Sequence, residues 1–114
     1  MSDMNIIINL DEPVFAERVG KTLNELIVLA NVPWAESATC ATQESDGEIL
    51  FWSAPFEQVC SARCKADIGD GLIPILGIGN QVDNHYIELD GRDVVARDWE
   101  SAVVSRDSYL ESKQ

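Results

Sequence analysis

Basic residues are scarce in this chain: eight Lys and Arg stand against twenty Asp and Glu, a formal net charge of −12 at pH 7. A field of that sign repels phosphates and anionic headgroups, which argues against direct binding of DNA, RNA or a membrane surface. Long apolar runs are missing too. Near the front the longest is Ile6-Ile7-Ile8, far short of the roughly 20 residues of a spanning helix. No basic stretch precedes it, so Met1-Ser2-Asp3-Met4 does not read as a secretory signal. Cysteine is sparse and odd in number, with Cys40, Cys60 and Cys64 only. Free thiols in a reducing compartment are expected, and with them a cytoplasmic location.

Catalytic and cofactor signatures are equally thin. His85 is the single histidine, so any imidazole base would have to be that residue, with Asp83 or Asp90 to orient it. Nothing in the spacing pairs it with a cysteine nucleophile. Cys40, Cys60, Cys64 and His85 are zinc ligands by type, and Cys60-x3-Cys64 has a permitted spacing, but the paired knuckles of a structural zinc site are absent. Gly69-Asp70-Gly71 and Gly77-Ile78-Gly79 lack the Lys-Ser and the helix start of a phosphate loop. Asp67, Asp70 and Asp83 lack the alternation of a calcium loop. The reading is no enzyme, no cofactor and no metal.

What is present describes one domain of 114 residues, with 46% apolar composition to build a core. Asn5–Leu10 is a β-branched run and reads as a first strand. Asp11-Glu12-Pro13 is a plausible helix start, and Phe15, Val19, Leu23, Leu26 and Ala30 follow at helical spacing. One long amphipathic helix over about 12–30 is expected, ended by Asn31-Val32-Pro33. Ala38–Thr42 and Glu48–Ser53 read as strands about the turn Glu44-Ser45-Asp46-Gly47. Residues 57–65 suit helix or strand, 67–71 a loop, and 72–79 an edge strand or a buried irregular crossing. A hairpin is expected from Asn84–Leu89, Asp90-Gly91 and Asp93–Arg97. A strand at Ala102–Val104 then leads to a helix at 106–112, capped by Ser105, with Tyr109 and Leu110 inward. The expected class is α+β: one long N-terminal helix on a small, mainly antiparallel sheet, with a short C-terminal helix.

The charge itself is the remaining functional signal. Residues 1–62 hold ten acids and two bases, whereas residues 63–114 hold ten acids and six bases. Glu12, Glu17, Glu25, Glu36, Glu44, Asp46, Glu48 and Glu57 are thereby candidates for one negative face, able to compete for Lys and Arg clusters that hold phosphates. Trp34 and Trp52 are the candidate aromatic anchors. The segment Trp34-Ala35-Glu36-Ser37-Ala38-Thr39-Cys40-Ala41, Asp46-Gly47-Glu48, Phe51-Trp52 and Pro55 resembles a pattern of short bacteriophage and prophage accessory proteins. Asp98-Trp99-Glu100-Ser101-Ala102-Val103-Val104-Ser105-Arg106 is similar to another such segment. That resemblance implies an accessory protein acting in a host cell. Two functions follow as expectations. The first is an inhibitor of anti-defence or anti-CRISPR type, which binds a host protein through its basic nucleic-acid-binding surface, by phosphate mimicry. The second is a phage structural or assembly protein that self-associates, with a homodimer as one form, through sheet edges or the 72–79 segment.

Overall fold

The computed structural model describes residues 16–66 and 71–112. The expected strand 5–10, the start of the expected long helix, Glu12, and the loop residues 67–70 lie outside them.

The α+β class holds, but the long N-terminal helix does not exist. Glu17–Arg18 is a short strand, β1, and the helix α1 runs only from Leu23 to Leu29. The reason is local. Thr22 takes an extended conformation (φ −71°, ψ 163°), and its hydroxyl accepts from the Glu25 N–H at 3.1 Å, while the Glu25 carboxylate accepts from the Thr22 N–H at 2.8 Å. This reciprocal Thr-x-x-Glu box starts a helix after Thr22 and disfavours one through it. Asp98 adds a further acceptor, taking the Leu23 N–H at 2.9 Å. Upstream, the Val19 N–H donates to Val95 O, so Val19, just after β1, is held by a distant segment although its spacing suits a helical face.

Sheets dominate the rest. The strands β2 (Cys40–Gln43), β3 (Glu48–Trp52), β4 (Gln81–Tyr86) and β7 (Val104–Ser105) form an antiparallel sheet in the order β4-β3-β2-β7. Alternation along β3 sends Ile49 and Phe51 to one face and Leu50 and Trp52 to the other. The first face packs with Leu23, Leu26 and Ile27 of α1 and with Tyr109 of the last helix, α4 (Arg106–Ser112). On the second face lie Val59 and Ala62 of α2 (Phe56–Lys65), with Leu72 and Leu76. A sheet covered on both sides explains why Glu48-Ile49-Leu50-Phe51-Trp52 is almost wholly apolar.

A second sheet, ordered β1-β6-β5, consists of β5 (Glu88–Leu89), β6 (Arg92–Val95) and β1, with β1 and β6 parallel. The expected strand 84–89 is therefore two strands in different sheets, with Ile87 buried at the crossing. Asp90 and Gly91 both take positive φ (54° and 78°), the two-residue turn that suits a right-handed hairpin twist. Gln43 joins the two sheets. Fully buried, it donates from Nε2 to Gly47 O and Val94 O, both at 3.0 Å, and accepts the Ala96 N–H at 2.8 Å.

Residues 56–65 form a helix, not a strand. The 72–79 stretch is neither edge strand nor irregular crossing: Ile73–Leu76 makes one helical turn, α3, and Ile78–Asn80 a 3-10 turn. Gly77 at φ 87° separates them, and Pro74 is tolerated because it falls in a first turn. Ser105 does cap α4, taking the Ser108 N–H at 3.1 Å. Tyr109 is buried as expected, whereas Leu110 is exposed.

Candidate acidic interface

The hairpin turn between β2 and β3 places Asp46 beside Glu48, and the edge strand β4 brings Tyr86 opposite Glu48. Asp46 uses one oxygen for the Glu48 N–H (3.1 Å) and the other for the Tyr86 hydroxyl (3.2 Å). Glu48 accepts from the Asn84 amide at 2.7 Å. The second sheet contributes Glu88 and Asp93. Together Asp46, Tyr86, Glu88 and Asp93 line an open hollow of about 410 Å³ where the two sheets meet.

Glu88 and Asp93 are direct cross-strand partners in the β5–β6 ladder. Like charges directly opposite each other across a ladder are unfavourable. The Tyr86 hydroxyl registers the local field. Its pKa is pushed up to about 12 by desolvation first, then by the charges of Asp46 and Glu48 and its bond to Asp46, with Asp93 adding to it. Losing a proton there would add one more negative charge to a negative hollow.

The other candidate residues are distributed differently. Glu17 is exposed on β1 and is engaged by Arg92. Glu25 is held in the capping box, and the backbone bond from Thr22 is the main cause that lowers its pKa. Exposed Glu36 lies in the loop before β2, its backbone oxygen held by Arg106 at 2.9 Å. Glu57 is exposed in the first turn of α2.

Glu44 turns inward, against Gly71 and the Leu72 N–H, with Arg63 nearby. Burial raises its pKa despite the Arg63 charge, and Asp46 and Glu48 push it the same way. Arg63 is itself buried, donating to Gln43 O at 3.0 Å. Trp52 is fully buried and donates to the Thr42 hydroxyl at 2.9 Å. Trp34 is half-buried, edge-on to Phe51 and stacked on Tyr109, and donates to Ala38 O at 3.1 Å. Both indoles are thus committed to packing. Of the sequence candidates the hollow takes in Asp46, with Glu48 beside it in the same turn; Glu88 and Asp93 were missed. Their signal was present in the turn Glu88-Leu89-Asp90-Gly91-Arg92-Asp93, whose two-residue hairpin must set position 88 opposite 93.

Among the described residues no group of three or more His, Cys, Asp or Glu side chains is placed to hold a metal ion. His85 is half-buried, bonded to Asp83 at 3.2 Å and edge-on to Phe51. No helix among those residues is long and apolar enough to cross a membrane. An open hollow of about 550 Å³ lies between the starts of α2 and α4, but it mixes Glu57 and Asp107 with Arg106. No protein-family model, no curated protein and no solved structure matches this chain.

Proposed function

We propose that this chain is an interaction protein that docks its acidic hollow onto the basic, phosphate-binding surface of a nucleic-acid-binding protein and so blocks it. The observation that carries the reading is the Glu88–Asp93 pair. Glu88 and Asp93, opposite each other in the β5–β6 ladder, line with Asp46 one open hollow, and like charges placed directly opposite across a ladder are unfavourable. A partner's Arg or Lys side chain entering there relieves the repulsion, so binding gains what the isolated fold loses. Carboxylates spread across two sheets suit several cations on a protein surface, spaced as phosphates along a strand would be. The resemblance to phage accessory proteins adds a target class, a host defence complex. For the assembly alternative, the 72–79 segment buries Leu72 and Leu76 in the core and leaves Ile75 exposed.

The test is competition. A host nucleic-acid-binding protein captured by the tagged chain is offered its own DNA or RNA at rising salt, with parent or with the variant D46N/E88Q/D93N. The expected results are displacement of nucleic acid by the parent, weaker displacement as salt rises, and loss of displacement in the variant. A captured partner that keeps its nucleic acid, or a variant that competes as well as the parent, sinks the reading.

A further inference from the structure

A second chemistry stands apart from the acidic hollow, on α2. Cys60 and Cys64 are free thiols, the first half-buried and the second exposed. They are one helical turn apart, where side chains four positions apart are neighbours, with about 5–6 Å between Cβ atoms. Cys60 feels the charge both of Cys64 and of Glu57 one turn earlier, which sets all three on one side of the helix. No third or fourth ligand completes a set around the sulfurs among the described residues.

The geometry points to a two-thiol clamp, Cys60 and Cys64, for a soft monovalent cation of the Cu(I) kind. Thiolate is the ligand such ions select, and a d¹⁰ ion bound in line between two sulfurs needs no further ligand. Zinc takes four ligands in a structural site, and calcium and magnesium take oxygens. On binding, two metal–sulfur bonds form and two thiol protons pass to solvent, with no change in the oxidation state of either partner. Glu57 stands one turn before Cys60, while Arg63 and Lys65 flank Cys64 at the end of α2; the net charge of −12 is the wider field around them. Cys40, at the start of β2, is fully buried and close enough to Cys60 to feel its charge, so C40A shows whether the third thiol takes part.

The experiment uses the full, reduced chain without oxygen, titrated with Cu(I) against a chromophoric Cu(I) chelator, with Zn(II) in a parallel series. Folding of every variant is checked by circular dichroism. One Cu(I) per chain is expected, with binding lost in C60S and in C64S and kept in C40A. Because Cys64 is exposed, C64S carries the test even where C40A fails to fold. The proposal is overturned if C64S still withdraws one equivalent, if the chain unfolded in denaturant competes as well as the folded one, or if Zn(II) is bound in preference with two chains per ion.

Discussion

Glu44 illustrates how one carboxylate can belong to an acidic protein without serving its surface. Neighbouring Asp46 lines the hollow and Glu48 holds Asn84, while Glu44 folds back on Gly71 and Leu72. Its raised pKa means that the folded state holds the proton more readily than the unfolded chain. The stability this provides is fully present below the ordinary carboxylate range and is lost as pH rises through the raised value. E44Q cannot titrate. It is expected to melt above the parent at pH 7, with the difference closing toward pH 4, as thermal denaturation at several pH values will show. A variant that melts lower at pH 7 would mean that attraction to Arg63 outweighs burial.

Between elements, the seam of the two sheets rests on a polar side chain. Gln43 spends its whole amide on Gly47, Val94 and Ala96. Replacing it by Leu keeps similar bulk but strands two carbonyls and one N–H in the interior, at roughly 1–3 kcal/mol for each group left unpaired. Q43L is expected to lower the urea midpoint by a margin readily measured, whereas Q58L on the exposed side of α2 leaves it near the parent value.

Elements were legible in the sequence wherever the signal was local. The β2–β3 turn, the Asp90-Gly91 turn and the Ser105 cap are all written in adjacent residues, and all three form. Tertiary choices were not. The spacing of Val19, Leu23 and Leu26 fits one helix face, yet Thr22 and Glu25 box the start and Val19 follows the strand beside β6. The split at Ile87 likewise depends on which sheet each half meets. The acidic hollow was half legible: Asp46 and Glu48 belong to a turn visible in the sequence, while their approach to Glu88 and Asp93 requires knowing that two sheets abut there.

At the scale of the whole molecule, the dominant quantity is the net charge. Like charges crowded into one small fold repel one another, and dissolved ions screen them over about 10 Å at 0.1 M. Melting temperature is therefore expected to rise when sodium chloride is raised from low concentration to about 0.1 M, a trend opposite to that of association with a basic partner. A melting temperature that falls over the same range would show that the ion pairs Arg18–Glu100 and Arg92–Glu17 contribute more than the general repulsion costs.

The pairing of β1 with β6 also fixes an order of events at the ribosome. Strands β2 and β3 and helix α2 follow one another directly and can assemble as they emerge. The second sheet must wait, because Glu17 and Arg18 have no ladder until Val94 and Val95 have been made. Until then the Gln43 amide has neither the Val94 nor the Ala96 backbone to bond. Pairing of segments so distant in sequence slows folding, and only the closing of this seam brings the facing pair Glu88 and Asp93 to the rim beside Asp46.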